Sequence, residues 1–189
     1  VRSRRPPRPN HGISSAASDG YKGQTELRTR LEKAQRPFMI VGSSIDDRGV
    51  EGLVAFAEAN GIPATFLDLA DYPMPIYHGE IEADDGKPEN AKKLQAVMEA
   101  HSGIFIASPE YNASITPLLK NTLDWISRPD NGTPQQVFKT RVFALGSASP
   151  GGMGGLRSLN TVRTVLTLGL GALVLPEQFA VPRAHEGFE

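Results

Sequence analysis

The sequence predicts one α/β domain built around a parallel sheet. Short apolar runs with many β-branched and aromatic residues alternate with longer windows in which apolar residues recur at helical spacing. Five such runs, separated by helical windows, are typical of parallel strands joined by right-handed crossovers. The predicted strands are 38–42, 64–68, 103–107, 141–146 and 172–176.

Helices are predicted in the windows between the strands and once before the first strand. The clearest begins at Thr116 and Pro117, because a capping residue there precedes proline at the first helical position. Within it Lys120 and Asp124 are four residues apart, so a surface ion pair is expected. The predicted helices are 24–35, 50–60, 90–101, 116–128 and 156–168, and the predicted surface loops are 77–88 and 129–136.

Composition argues against several classes of function. The chain has 189 residues and a formal net charge of −1, which does not favour attraction of the whole surface to nucleic acid or to an anionic membrane. It has no cysteine, so disulfides, thiolate metal sites and a cysteine nucleophile are excluded. The four histidines lack ligand spacing, and the longest apolar runs are too short to cross a membrane. We therefore expect a cytoplasmic protein that has no metal site and binds neither nucleic acid nor membrane.

The start of the chain differs in character from the rest. Its first ten residues include four arginines and three prolines and have no apolar face, which is typical of a disordered segment. Residues 1–20 are therefore predicted as a disordered basic tail. Residues 21–189 are predicted as a single domain, long enough to bury a substantial core.

A ligand crevice is predicted where the third strand ends. Pro109 has no backbone N–H for a further ladder hydrogen bond, so the strand is expected to stop there. A loop at the carboxyl end of a parallel strand, followed by a helix, is the usual place for the ligand in an open α/β sheet. Composition and periodicity alone lead no further than an α/β domain with such a crevice.

The residues around this crevice resemble a known family. The motif SPEYN at 108–112, followed by LKNTLDWISR at 119–128, resembles the signature of the NADPH-dependent FMN reductase family, which includes quinone and azo-dye reductases. The segments LDLADYPMP at 67–75 and GSASPGG at 146–152 resemble the family's segments after the second and fourth strands. The resemblance extends over about residues 38–188.

The resemblance implies a flavodoxin-like three-layer sandwich with a five-stranded parallel sheet. Relatives usually end with a helix after the fifth strand, whereas this sequence leaves no room for one before Glu189, so that C-terminal helix is expected to be absent. The extra helix 24–35, before the first strand, is expected to cover the same face of the sheet.

The resemblance also implies the reaction. It implies a reductase that binds FMN non-covalently and uses NADPH (or NADH) to reduce FMN or a quinone-like small molecule. No catalytic acid, base or covalent nucleophile is assigned, because the flavin itself takes the hydride. Preference for NADPH would require a basic cluster, for which Arg128 and Arg157 are the candidates.

The first loop of the implied flavin site follows the first strand and would hold the phosphate. Small residues there allow backbone N–H groups to approach an anion, and Arg48 offers a bidentate cation. Asp46 and Asp47 depart from the family pattern. Their carboxylates would repel a phosphate unless they face solvent or cap the following helix. The residues expected to contact FMN in this loop are Ser43, Ser44 and Arg48.

The second and third implied loops would lie along the flavin ring. In the second loop, each of three residues has a structural role as the alternative to contact with the ring. Glu110 would cap a helix or form an ion pair, Tyr111 would anchor the loop by packing, and Asn112 would form a tight turn. In the third, a glycine-rich backbone could approach a planar ring closely. The residues expected to contact FMN here are Pro109, Glu110, Tyr111, Asn112, Ser114, Ser147, Pro150, Gly151 and Gly152.

Helix 116–128 is the implied contact between subunits. Family resemblance places it at an interface near the flavin, which implies a homodimer or homotetramer with Trp125 as an interface anchor. The alternative for Lys120 and Asp124 is a solvated pair within one helix rather than a pair that joins two subunits.

Two other functions are left open by the sequence. An electron carrier on the same fold would be favoured by an acidic rim around the ligand, whereas the near-neutral charge favours an enzyme. A relative that has lost flavin and acts as an interaction protein would be favoured by Asp46, Asp47 and the missing final helix.

Overall fold

The computed structural model describes residues 37–41, 59, 61, 64–129 and 136–186, the first of these ranges for its backbone alone. The predicted tail 1–20 and the predicted helix 24–35 lie outside the described residues. Of the predicted helix 50–60, only residue 59 is described as helical.

Five strands form one sheet in which every pairing is parallel. The order across the sheet is β2-β1-β3-β4-β5, so the direction of winding reverses at β1. This order is that of flavodoxin-like folds, and the predicted α/β class with a parallel sheet is confirmed. The strands are β1 (Pro37–Val41), β2 (Thr65–Asp68), β3 (Gly103–Ala107), β4 (Val142–Ala148) and β5 (Leu173–Val181).

From β2 onward, helices lie between successive strands, as is usual for the crossovers of a parallel sheet. Short 3-10 helices follow β2 at Leu69–Asp71 and β5 at Ala184–Glu186, and a π-helical turn at Val165–Gly169 extends the helix before β5. None of the described helices is both long and apolar enough to span a bilayer. The α-helices are α1 (Gly79–Asp85), α2 (Glu89–Glu99), α3 (Pro117–Ile126), α4 (Gln136–Lys139) and α5 (Leu156–Thr164).

One face of the sheet forms the core with the helices. Ile104 and Ile106 of β3 are in register with Phe143 and Leu145 of β4, so the four side chains project from the same face. All four are buried, and they belong to one apolar cluster with side chains of α2, α3, α4 and α5. Burial of this face therefore holds the helices against β3 and β4.

The opposite face is apolar and partly open at β5. Leu173 is in register with Val142, and Phe179 with Gly146, so these side chains project away from the buried cluster. Phe179 is 64% exposed, and Leu173 and Val181 are exposed as well. An open apolar patch of this kind is a surface that a further segment could cover.

Strand β5 is longer than predicted and contains a bulge. The predicted strand ended at residue 176, which is a proline and cannot donate to a ladder. The strand continues to Val181, since β5 lies at the sheet edge and its pairing with β4 shifts between Phe143 and Leu145. The proline is thus accommodated in an irregular stretch of an edge strand.

Helix α1 occupies part of the segment that was predicted as loop 77–88, so that prediction is wrong there. His78 caps the helix, because its Nδ1 accepts a hydrogen bond from Glu80 N at 3.3 Å. Glu80 and Glu82 stand in the first turn, where carboxylates interact favourably with the helix dipole. Gly86, with φ of 75°, ends the helix. The cluster of acids was the overlooked signal of a helix start.

Candidate functional site

The candidate site lies at the edge of the sheet where β1, β3 and β4 end. In an open parallel sheet, ligands bind at the carboxyl ends of the strands beside the point where strand order reverses. That point is β1, which has β2 on one side and β3 on the other. The loops after β3 and β4 are described, whereas residues 42–49 after β1, with Ser43, Ser44 and Arg48, lie outside the described residues.

The loop after β3 contains a two-residue hairpin turn. Tyr111 N donates to Ser114 O over 3.1 Å, and Ser114 N donates to Tyr111 O over 3.0 Å. Between them, Asn112 and Ala113 have φ values of 50° and 65°. Two successive residues with positive φ are what a type I′ hairpin turn requires, and asparagine adopts this conformation readily. The structural role considered for Asn112 is therefore present, and half-exposed Tyr111 stands beside it.

Ala113 is strained in this turn, because an alanine at positive φ brings its Cβ close to the neighbouring carbonyl. Replacing Ala113 with glycine is expected to raise the free energy of unfolding by about 0.5–1 kcal/mol. Ala100→Gly is the matched control, since Ala100 is exposed with φ of −75°, and it should lower the stability instead. Urea denaturation followed by circular dichroism measures both, and a destabilised Ala113→Gly variant would contradict the strain.

Glu110 binds the start of helix α5 with its carboxylate. Its side chain is only 9% exposed. One carboxylate oxygen accepts from the backbone N–H groups of Arg157 at 3.2 Å and Ser158 at 3.3 Å. The other accepts from Arg157 Nε at 2.8 Å and from Arg157 Nη2. The capping and pairing role considered for Glu110 is therefore present, and the Arg157 guanidinium is held by it.

A second, buried contact joins the same loop to the same helix. Ser108 Oγ and Ser158 Oγ lie 3.1 Å apart, and Ser158 Oγ also donates to Pro109 O over 3.1 Å. Both serines are buried, so these hydrogen bonds satisfy hydroxyl groups that have left water. The loop after β3 and the start of α5 are thus held together by a charged contact and by a hydroxyl contact.

The glycine-rich loop after β4 requires glycine at its last two positions. A Cβ on Gly154, whose φ is 60°, would lie 2.7 Å from backbone atoms of Val181 and Pro182. A Cβ on Gly155, whose φ is 81°, would lie 1.9 Å from Ser147 Oγ. At Gly151 and Gly152, which the sequence analysis expected to contact flavin, an added Cβ meets nothing closer than 3.7 Å.

The outer part of the same loop is anchored to the end of β5. Ser149 N donates to Val181 O over 3.1 Å, and Arg183 N donates to Gly151 O over 3.2 Å. Pro150, Gly151 and Gly152 are exposed beyond these anchors. The loop therefore has a fixed base and an accessible rim.

Ser147 stands out among the polar side chains. It is the last but one residue of β4, it is buried, and its Oγ has no hydrogen-bond partner within the described part of the chain. A buried hydroxyl without a partner costs about 1–3 kcal/mol, so such groups usually meet a ligand, a water or an ion. Ser147 lies at the carboxyl end of β4, which is the edge of the sheet that carries the candidate site.

Helix α3 uses Trp125 and Asn121 to bind the segment after β2 of the same chain, so these two side chains are not presented to another subunit. Trp125 is completely buried, and its Nε1 donates to Pro75 O over 2.7 Å. Asn121 donates to the same carbonyl over 2.9 Å and accepts from Tyr77 N over 2.7 Å. The expectation that Trp125 anchors a subunit interface is therefore wrong, because its indole is a core group of its own chain.

Charged groups on α3 and just after it also pair within the same chain. Lys120 Nζ lies 2.7 Å from both carboxylate oxygens of Asp124, as the four-residue spacing predicted. Arg128 Nε donates to Glu82 over 2.6 Å, and its guanidinium lies 5.5 Å from the Tyr77 ring centroid. Tyr77 also donates to Glu82 over 2.9 Å. No three His, Asp or Glu side chains in the described ranges are arranged to hold a metal ion.

Two of these carboxylates make stability depend on pH. The hydrogen bond from Arg157 lowers the pKa of Glu110 below its ordinary value, and the hydrogen bond from Arg128 does the same to the pKa of Glu82. Each ionised carboxylate stabilises the fold fully above the pKa that it has in the unfolded chain. That contribution is lost as the pH falls through the lower pKa that it has in the folded protein. The free energy of unfolding is therefore expected to fall on acidification below about pH 4.5. In urea denaturation, Glu110→Gln should show a shallower fall, and Glu177→Gln, an exposed control on β5, should match the parent protein.

Comparison with known proteins agrees with the geometry. The family model for NADPH-dependent FMN reductase matches residues 37–186. A probable NADPH:quinone oxidoreductase 2 from Oryza sativa subsp. japonica is 37% identical over 159 residues, which cover 82% of this chain and 74% of the relative. An NADPH azoreductase from Bacillus sp. (strain OY1-2) is 31% identical and covers 70% of this chain and 69% of the relative. Among solved structures, the flavoenzyme NAD(P)H:(acceptor) oxidoreductase FerB from Paracoccus denitrificans is similar with a TM-score of 0.61, at 27% identity, over 76% of this chain and 78% of that chain.

These matches confirm the resemblance found in the sequence, and with it an oxidoreductase that depends on NAD(P)H and uses FMN. The matched region begins at β1 and extends through both described loops of the candidate site to the 3-10 helix after β5. The chain belongs to the NADPH-dependent FMN reductase family.

Proposed function

We propose that this chain binds FMN non-covalently between the loops at the carboxyl ends of β1, β3 and β4, and reduces FMN or a quinone-like acceptor with NADPH or NADH. The observation that carries the site is Ser147 at the carboxyl end of β4, a buried hydroxyl that has no hydrogen-bond partner among the described residues. When FMN is bound, it supplies hydride transfer between the nicotinamide and the acceptor. The chain itself supplies binding, orientation and shielding from water.

The residues of the two described loops fit a flavin ring. Ser147 can donate to or accept from a polar ring atom, and this contact would satisfy its hydroxyl. Tyr111 and Ser114 use their backbone N–H groups within the hairpin, so their contact with a ring would come from the side chains. Further contacts with the ring would come from the Asn112 side-chain amide and from the backbone of Pro109, Asn112, Pro150, Gly151 and Gly152.

The phosphate is assigned to the loop after β1. The start of α5 is the other anion-binding element near the site, but Glu110 occupies the N–H groups of Arg157 and Ser158. A dianionic phosphate would be repelled there by the Glu110 carboxylate. Ser43, Ser44 and Arg48 are therefore proposed to hold it.

No acid, base or nucleophile of the chain is assigned to the reaction. The half-exposed side chains of Tyr111 and Met153 stand at the rims of the two loops, where apolar groups can exclude water from a planar ligand. Arg128 and Arg157 are the candidates to bind the extra phosphate of NADPH. Each would first have to leave the carboxylate with which it is paired, Glu82 and Glu110 respectively. The cytoplasmic location stays a prediction.

We also propose that residues 21–189 form one domain after a disordered tail at 1–20, and that the domain assembles as a homodimer or homotetramer through 116–128. Since Trp125 is buried, the contact would use the exposed edge of α3, where Lys120 and Asp124 are about one-third to one-half exposed. Sedimentation velocity over a range of concentrations tests this, and a monomer at all concentrations would refute it.

The open face at β5 supports the proposal that helix 24–35 lies on the sheet. Leu27 and Leu31 are four residues apart and would share one face of that helix. Phe179 and its exposed neighbours offer an apolar surface for them. The double variant Leu27→Asp and Leu31→Asp should lower the melting temperature, and an unchanged melting temperature would refute the contact.

One titration tests the proposed function. The purified protein is mixed with FMN, and the absorbance and fluorescence of the flavin are recorded. We expect quenched fluorescence and saturable binding, weakened by Ser147→Ala. Absence of binding at micromolar FMN would contradict both this function and an electron carrier, and would favour an interaction protein. Oxidation of NADPH with and without a quinone then separates the enzyme from a carrier, because a carrier does not oxidise NADPH.

A further inference from the structure

The start of helix α5 lacks a capping side chain of its own. Its N-cap residue is Gly155, so no local side-chain oxygen can accept from the first backbone N–H groups. A larger residue is excluded at this position, because its Cβ would lie 1.9 Å from Ser147 Oγ. The same close approach that brings the glycine-rich loop against Ser147 thus removes the ordinary means of capping the helix.

The missing cap is supplied from a distant part of the chain. Glu110 precedes Arg157 by 47 residues, yet its carboxylate accepts from the backbone N–H groups of Arg157 and Ser158. A carboxylate at this end of a helix also interacts favourably with the helix dipole. The Arg157 side chain closes over the same carboxylate with Nε at 2.8 Å.

This contact connects the two loops of the proposed site. Glu110 belongs to the loop after β3, two residues before Asn112, whereas Gly155 ends the glycine-rich loop after β4. The buried contact between Ser108 and Ser158 lies on the same pair of segments. The relative position of the loops is therefore set by what Glu110 binds.

We propose that Glu110 is a positioning residue, which caps α5 from the neighbouring loop and thereby fixes the distance between the two loops that would hold the flavin ring. Its carboxylate also neutralises the start of α5 and the Arg157 guanidinium, so this end of the helix rejects a second anion. The capping part is independent of the ligand, while the consequence for flavin rests on the proposed function. Glu110 acts through the loops and takes no part in the redox step.

The first test measures the cap without any flavin. Glu110→Ala is expected to speed hydrogen exchange at the amides of Arg157 and Ser158 about tenfold, because a lost helix cap opens the first turn. Glu89→Ala is the matched control, since Glu89 stands in the first turn of α2 and pairs with Lys92 on the surface. Unchanged exchange at Arg157 and Ser158 in Glu110→Ala would overturn the proposal.

The second test replaces the lost carboxylate. Formate should raise the melting temperature of Glu110→Ala above that seen with chloride at the same ionic strength, because a small carboxylate can occupy the vacated position. The parent protein, whose own carboxylate fills this position, should respond equally to the two salts. An equal response of Glu110→Ala to both salts would count against the cap.

The third test measures the affinity for FMN, which depends on the position of the two loops that would hold the flavin ring. Glu110→Ala should weaken FMN binding about tenfold or more, as expected when binding groups are misplaced, and formate should restore part of the affinity. Glu89→Ala should bind FMN as the parent does. If the parent binds FMN and Glu110→Ala binds it equally well, Glu110 does not position the ring loops. If the parent binds no FMN, the proposed function fails, while the exchange and formate results still decide the capping role.

Discussion

Replacing Gly154 with alanine is expected to lower the free energy of unfolding by about 3 kcal/mol. Its φ of 60° is unfavourable for a residue with a Cβ. The new Cβ would lie 2.7 Å from Val181 N, Val181 C and Pro182 N, which are backbone atoms that cannot rotate away. The loop after β4 and the end of β5 would have to separate. Urea denaturation followed by circular dichroism measures the loss.

Gly152→Ala is the matched control for Gly154→Ala. It lies two residues earlier in the same loop, and an added Cβ meets nothing within 4 Å. We expect a change within about 0.5 kcal/mol. Equal stabilities of the two variants would show that the contact with β5 does not hold the loop. FMN binding by Gly154→Ala that is weaker than that of the parent protein would connect the anchored base of the loop to the proposed site.

Trp125→Ala is expected to lower the free energy of unfolding by about 4 kcal/mol. The indole is completely buried, and its ring lies edge-on to Tyr77 at 4.9 Å between centroids. Removal leaves a large cavity between α3 and the segment after β2, and it takes one of two donors from Pro75 O. Because Trp125 is the only tryptophan of the chain, circular dichroism rather than fluorescence measures the unfolding.

Two further variants separate packing from hydrogen bonding at this position. Trp125→Phe keeps an aromatic ring but loses the N–H donor, while Asn121 still donates to Pro75 O, so a loss of about 1–2 kcal/mol is expected. Leu168→Ala removes an apolar side chain that is 84% exposed and should change stability by less than about 0.5 kcal/mol. A loss for Trp125→Phe as large as for Trp125→Ala would show that the ring itself contributes little.

Local patterns in the sequence predicted much of the architecture. Apolar runs located β2, β3 and β4 to within two residues at each end. Helix α3 begins as predicted, with Thr116 accepting from Leu119 N at 3.2 Å and proline at the first position. These features depend on residues a few positions apart, so a short window of sequence contains their cause.

The predictions were wrong where the burial of a side chain or the position of a strand in the sheet determines the structure. Trp125 was assigned to an interface, although its spacing from Leu118 and Thr122 places it on the helix face that also carries buried residues. The end of β5 was placed at a proline, although an edge strand tolerates one. The edge position of β5 depends on the whole sheet and cannot be read from a short window.

The contacts that build the candidate site are long-range and left no local signal. Glu110 and Arg157 are 47 residues apart, and Trp125 and Pro75 are 50 apart. Ser147 was named from family resemblance, but only the three-dimensional structure shows that its hydroxyl is buried and lacks a hydrogen-bond partner in the part of the chain that is described. Gly154 and Gly155 were passed over because a run of glycines does not reveal which of them meets a neighbouring backbone.

The bulge in β5 also affects how this protein meets other copies of itself. An edge strand exposes unpaired N–H and C=O groups that can add a strand from another molecule and start aggregation. Here Pro176 removes one donor, and its carbonyl already accepts from Arg163 over 3.2 Å. The shifted pairing divides the edge into two short regular stretches, neither long enough to serve as a good template. The irregularity therefore protects the molecule against edge-to-edge association at this exposed edge strand.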